Sequence, residues 1–173
     1  VLGNTVVIKP SEICPKVAET YAQCVKESSI PNGVVNIVQG EKSIGQALST
    51  HPEIDGVLFT GSYRTGRALQ EALLDQPHKI LALEMGGKNF AIVMDDADLK
   101  QAVLEIILGG FLTTGQRCTA TSRVLVHDSY YDKFKKAILH VTKTLKPFPL
   151  YENGMFGPMA TKQALEHFLN GLR

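Results

Sequence analysis

The sequence predicts an α/β chain built on parallel sheet and divided into two units at Gly86-Gly87. Three observations predict it. Short β-branched runs alternate with stretches of helical periodicity through the first half. The connections between them are short, so successive strands need right-handed crossovers and lie parallel. After the fourth run two glycines intervene, and a fresh strand–helix pattern begins. Residues 1–87 are therefore read as one unit and residues 88–173 as a second.

Taken in order, residues 5–9 (TVVIK) form a buried-type strand that Pro10 ends. Pro15 opens a helix to residue 28, with Val17, Tyr21, Cys24 and Val25 at helical spacing. Ile30-Pro31-Asn32-Gly33 breaks it. Residues 34–38 (VVNIV) are a second strand, followed by a short helix over 43–48 with Ile44, Ala47 and Leu48 on one side. A third strand spans 56–60, a third helix 64–74, and a fourth strand 79–83 that runs into Glu84-Met85-Gly86-Gly87. Beyond the glycines, residues 89–94 (NFAIVM) are a strand. Asp95-Asp96-Ala97-Asp98 offers cap chemistry to a helix over 99–111. Residues 113–117 are a polar loop and 122–126 another strand. Residues 130–145 form an amphipathic helix with Phe134, Ile138, Val141 and Leu145 inward and its lysines on a solvated face. Residues 146–158 are irregular, and a last helix covers 161–172.

Composition excludes several function classes. At 173 residues and 44% hydrophobic, the chain can bury the core of one ordinary domain. A net charge of +1 offers no electrostatic footprint for nucleic acid or a membrane surface. No apolar run approaches the ~20 residues of a membrane span. Cys14, Cys24 and Cys118 are odd in number and unpaired in spacing, which fits a reducing, cytoplasmic setting. The histidines are scattered, so no metal site is expected. Val1–Pro10 already reads as domain interior, so the chain is expected to be truncated.

Four segments carry chemistry. Cys118 lies in Thr114-Gly115-Gln116-Arg117-Cys118-Thr119. A cysteine between helix and strand is most often a small core hydrophobe. Here Gly115 and polar neighbours make the segment a presenting loop, and Arg117 could favour a thiolate. Glu84 ends an apolar strand, where a buried charge needs a partner or a task. It reads either as a hinge salt bridge or as a general base that activates water, which a cysteine acyl intermediate requires. Phe59-Thr60-Gly61-Ser62, with Gly66 beyond, is a strand–helix turn of the kind that receives a phosphate, without the GxGxxG fingerprint. Lys9-Pro10-Ser11-Glu12 is either a proline-terminated strand with surface charges or a pair, Lys9 and Glu12, able to hold the hydroxyls of a ribose.

In this order the segments Ile8-Lys9-Pro10-Ser11-Glu12, Phe59-Thr60-Gly61-Ser62, Leu83-Glu84-Met85-Gly86-Gly87-Lys88 and Gly115-Gln116-Arg117-Cys118 resemble the aldehyde dehydrogenase superfamily. The resemblance covers essentially the whole chain. The runs 61–66, 79–87 and 115–119 resemble most the N-succinylglutamate 5-semialdehyde dehydrogenases of arginine degradation. Other semialdehyde dehydrogenases share much of this vocabulary.

The resemblance implies a Rossmann-like NAD-binding half followed by part of a catalytic domain, truncated at both ends. It implies Cys118 as the nucleophile, its backbone N–H as one oxyanion donor, and Glu84 as the base that hydrolyses the thioester. Lys9, Ser11 and Glu12 would hold the adenosine ribose, with Glu12 favouring NAD over NADP by repelling a 2′-phosphate. Gly61, Ser62 and Gly66 would shape the pyrophosphate region, and Glu84, Met85 and Gly86 would also contact cofactor. The partner is a small-molecule aldehyde, with Arg117 or Arg123 as candidate for a distal carboxylate. Full-length members are expected to be homo-oligomers. The family chain is more than twice as long, so an oxyanion asparagine upstream and a Glu-x-Phe segment downstream are missing. Little activity is expected of the chain alone, and a non-catalytic fragment is the competing reading.

Overall fold

Strands and helices alternate along the chain as the periodicity predicts, and the computed structural model describes residues 3–148 and 154–172. Two compact units divide it, Val1–Glu84 and Met85–Arg173. In the first, β1 (Val6–Ile8), α1 (Pro15–Glu27), β2 (Val35–Ile37), α2 (Lys42–Thr50), β3 (Gly56–Gly61), α3 (Tyr63–Ala72) and β4 (Ile80–Met85) follow one another. In the second come β5 (Asn89–Val93), α4 (Leu99–Phe111), β6 (Thr121–Val126), α5 (Tyr131–Thr142) and α6 (Lys162–Gly171). Of the irregular stretch expected over 146–158, residues 149–153 lie outside the described residues. No helix among the described residues is long and apolar enough to cross a membrane.

The strands of the first unit pair in twos. β1 lies parallel to β2 with Val6 opposite Val35 and Ile8 opposite Ile37, and β3 neighbours β4. The predicted helix faces are displaced by one residue. In α1 the covered positions are Ala18, Ala22 and Val25, while Val17 and Tyr21 stand out in solvent. In α2 they are Gly45, Leu48 and Ser49, with Ile44 outward. Each contact mixes small side chains with one larger apolar group, Val25 or Leu48, while Val17, Tyr21 and Ile44 stay uncovered. Lys79, just before β4, is buried. Its ammonium donates to the Ser49 and His51 carbonyls at the C-terminal end of α2, where a cation complements the helix dipole.

The second unit carries the larger core. Val93 of β5, Val103, Ile106 and Ile107 of α4, Tyr130 and Phe134 are buried together, and Ile138, Val141 and Leu145 pack against them. That is the inward face expected of residues 130–145. The Asp98 side chain caps α4 by accepting from Gln101 N–H at 2.7 Å. β5 and β6 are parallel, with a register shift: Asn89 faces Thr121, but Phe90 faces Arg123. One extra residue on β6 therefore sits beside Asn89, a bulge of the sort that re-aims side chains near functional sites.

Candidate active site

In the first unit, β1 delivers Lys9 at its carboxyl end, and Pro10, lacking an N–H, stops the ladder. The Lys9 ammonium donates to Pro10 O at 2.8 Å, to Gly40 O at 2.9 Å and to Glu12 Oε2 at 3.4 Å. Three acceptors match its three donors. Its stem passes Gly45, where an added Cβ would sit 3.5 Å from Lys9 Cδ and Cε. The chain just beyond β2 thus helps hold Lys9, and Glu12 joins it while remaining 55% exposed. The Glu12 carboxyl is held below the ordinary carboxylate range. Its own backbone N–H is the main cause, followed by the hydrogen bond and the charge of Lys9. Ser11 shapes the same turn, its hydroxyl accepting from Ile13 N–H at 3.3 Å.

The turn at Gly61-Ser62 lies between β3 and α3. Ser62 is the cap of α3, accepting from Thr65 N–H at 3.2 Å. At Gly61 an added Cβ would run into the tip of the Phe59 ring, so a larger residue there would force that ring to shift. Gly66 is buried within α3 and donates its N–H to Ser62 O at 3.0 Å. Lys9, Ser11 and Glu12 thus share one turn, and Gly61, Ser62 and Gly66 share another.

Glu84 departs from expectation. Along β4 the side chains of Ile80, Ala82 and Glu84 point to the open face, and Leu81, Leu83 and Met85 to the half-covered one. Glu84 is therefore exposed, not desolvated, and makes no side-chain hydrogen bond or ion pair among the described residues. Gly86, two residues on, has open space where a Cβ would project.

In the second unit, Cys118 sits at the second position of a turn closed by Ala120 N–H donating to Arg117 O at 3.1 Å, and its thiol is exposed. The loop before it is strained. Thr114 adopts φ +57° and Gly115 φ +65°, and a β-branched residue in the left-handed region persists only where its surroundings hold it. Three side chains do so. Thr114 Oγ1 donates to Gly157 O at 3.0 Å. Gln116 Oε1 accepts from Ala160 N–H at 3.0 Å. Asn89 Nδ2, on β5, donates to Cys118 O at 2.6 Å and Ala120 O at 3.1 Å. Gly109 supports the arrangement from α4, since a Cβ there would meet Thr121 Oγ1 at 2.7 Å.

Sequence reasoning missed Asn89, Thr114 and Gln116. A polar residue opening the apolar run NFAIVM was the one available signal. Of the two candidate arginines, Arg123 lies over the Phe90 ring at 5.5 Å. Arg117 is exposed and makes no ion pair among the described residues. The main surface hollows, lined by Leu99, Lys133, Ala137 and His140, share no residue with either site.

The chain is similar to known proteins over nearly its whole length. The model of the aldehyde dehydrogenase family matches residues 1–172. The alpha-ketoglutaric semialdehyde dehydrogenase of Bacillus subtilis is 43% identical over 98% of this chain and 35% of its own length. An NAD-dependent aldehyde dehydrogenase from Sinorhizobium meliloti superposes with a TM-score of 0.90 at 35% identity, over 97% of this chain and 34% of that one. A betaine aldehyde dehydrogenase from Staphylococcus aureus, solved in complex with NAD+, gives 0.85 at 35% identity, over 92% and 32%. The chain thus spans about a third of the length of these relatives. A match that runs from the first residue to the last but one, on a fold shared at this identity, leaves one assignment: the chain belongs to the aldehyde dehydrogenase family.

Proposed function

We propose that these residues supply the nucleophile, the base and part of the NAD site for oxidation of an aldehyde to a carboxylic acid. The carrying observation is an exposed Cys118 on a strained loop braced from three sides. The Cys118 thiolate attacks the aldehyde carbon and forms a C–S bond. The resulting oxyanion is met by the Cys118 N–H, which makes no hydrogen bond among the described residues. NAD, when bound, supplies the acceptor for the hydride that leaves the thiohemiacetal carbon. Glu84 then takes a proton from the water that hydrolyses the thioester, and the acid departs.

The donor set fits the adenosine end of NAD. The longest of the Lys9 bonds is the one to Glu12, 3.4 Å and half exposed; a ribose that replaced it would take the freed N–H of Lys9 on one hydroxyl and donate to the Glu12 carboxylate with the other. A carboxylate that stays ionised repels a 2′-phosphate, which favours NAD over NADP. Residues up to the glycine hinge are read as the cofactor domain and those after it as catalytic domain. Calorimetric titration of NAD into the chain tests this, with binding expected to weaken about tenfold in Lys9→Ala, the loss of one charge-assisted hydrogen bond. Equal affinity in the variant would remove Lys9 from the site. Cys118 and Glu84 are both exposed, so neither has the dry surroundings that acyl transfer favours, and the chain alone is expected to turn over little.

For substrate, a semialdehyde with a distal carboxylate is proposed, N-succinylglutamate 5-semialdehyde by motif similarity. The 43% identity to an alpha-ketoglutaric semialdehyde dehydrogenase favours that aldehyde as a second reading. Either would engage Arg117, whose guanidinium is not committed to an ion pair among the described residues, whereas Arg123 is packed on Phe90. In a protein of this family carrying these residues, Arg117→Ala should raise KM for carboxylated semialdehydes about tenfold or more and leave propanal unchanged. Equal KM values for both substrate types would discard Arg117.

A further inference from the structure

The bulge between β5 and β6 places Asn89 beside the nucleophile's loop, and its carboxamide is committed there. Nδ2 has two N–H groups, and the structure uses them on two carbonyls, Cys118 O at 2.6 Å and Ala120 O at 3.1 Å. These are the carbonyls on either side of Thr119, just before β6 begins. No other side chain among the described residues bonds to the 117–120 turn, whereas Thr114 and Gln116 hold the segment before it. Gly87 closes the arrangement from behind: a Cβ there would lie 3.5 Å from Asn89 Oδ1 and 3.8 Å from Cys118 O.

We infer that Asn89 is a positioning residue for the nucleophile: by clamping the Cys118 and Ala120 carbonyls it fixes the turn so that the Cys118 thiol and N–H face one carbonyl substrate together. The inference rests on reading Cys118 as the nucleophile. A single donor, such as a serine hydroxyl, could not bridge two carbonyls two residues apart. An aspartate could bridge neither when ionised, since it only accepts. The clamp leaves the thiol itself untouched. Its effect therefore falls on reactions that need the thiol and the N–H in register, and not on the thiol's nucleophilicity.

Two probes separate these effects on the full chain. With p-nitrophenyl acetate the Cys118 thiolate attacks the ester carbonyl, a C–S bond forms, and nitrophenolate leaves with the C–O electron pair. That reaction develops an oxyanion. With iodoacetamide the thiolate attacks a saturated carbon, a C–S bond forms as iodide leaves with the C–I electron pair, and no oxyanion develops. Rates at each cysteine are read by peptide mass spectrometry, with exposed Cys14 and Cys24 as internal references. Slow amide exchange in β5 and β6 confirms that each variant is folded.

Cys118 should be acylated faster than Cys14 and Cys24 in the parent chain. In Asn89→Ala, acylation at Cys118 should fall about tenfold while its alkylation stays within about twofold. Asn89→Gln, which keeps both donors on a longer stem, should recover part of the loss. A parent chain that acylates all three cysteines alike would refute Cys118 as the nucleophile, and the clamp's purpose with it. Preferential acylation of Cys118 that Asn89→Ala leaves intact would overturn the clamp alone. So would equal losses in both reactions, or in the Ala and Gln variants alike, since those mark a merely structural residue.

Discussion

Glu12 keeps its charge into conditions where an ordinary carboxylate loses it, because its own backbone N–H, and after it Lys9, favour the ionised form. The sign follows from linkage. A depressed folded value means that the contribution is present above the unfolded carboxylate range and is lost as pH falls through the lower folded one. The Lys9–Glu12 contact should therefore outlast general carboxylate protonation on acidification. A carbon-detected NMR titration checks this: the Glu12 carboxyl should titrate below its value in a peptide of the same local sequence. Lys9→Ala should move it only part of the way back, because the larger cause is Glu12's own backbone. A midpoint equal to the peptide's would refute the assignment. This pair was legible because a three-residue spacing across a proline turn brings the two side chains together whatever surrounds them. The exposure of Glu84 was not, since an alternating strand names two faces but not which one is covered. Asn89 was equally hidden, because its role depends on a turn 29 residues away.

Among the elements, those whose limits are set by local chemistry were read well. Pro15 opens α1, Asp98 of the Asp95–Asp98 run caps α4, and the predicted strands recur within a residue or two of their expected ends. Which stripe of a helix is packed depends on the partner. α5 turns Phe134, Ile138 and Val141 to the core as its periodicity predicts, with Leu145 packed there just past its end, because α4 supplies a broad apolar surface. α1 and α2 cover mostly alanine, glycine and serine besides Val25 and Leu48, and their predicted stripe sits one residue off. The Gly109 approach to Thr121 has the same character. In a sequence, a Gly-Gly pair near a helix end reads as a stop signal, yet Gly109 lies inside α4 and serves to let β6 start close by. That closeness seats the polar loop between α4 and β6, from which Cys118 projects.

Across the molecule, burial is unequal. Among the described residues, the buried apolar side chains of the first unit are Ala18 and Leu73, against six in the second, from Val93 to Phe134. On β3 and β4, Leu58 is 85% and Ile80 69% exposed, so these strands carry the alternation of core strands without the cover. Periodicity reports which side chains favour burial, and is silent about which atoms lie over them. Cooperative stability should therefore reside in the second unit. Amide exchange followed by mass spectrometry is expected to find α4, β5 and α5 the slowest segments, and β1 and β2 among the fastest. Phe134→Ala removes an aromatic ring that is 4% exposed among Val93, Val103 and Ile107. It should cost roughly 3–4 kcal/mol and abolish the slow exchange of α4 and β5 together. Protection in β1 and β2 matching that of β5, or a variant that exchanges like the parent chain, would overturn this placement of the core. The consequence reaches the chemistry. The loop that presents Cys118 springs from α4 and ends at β6, so it holds its strained turn only while the core beneath those two elements stays closed.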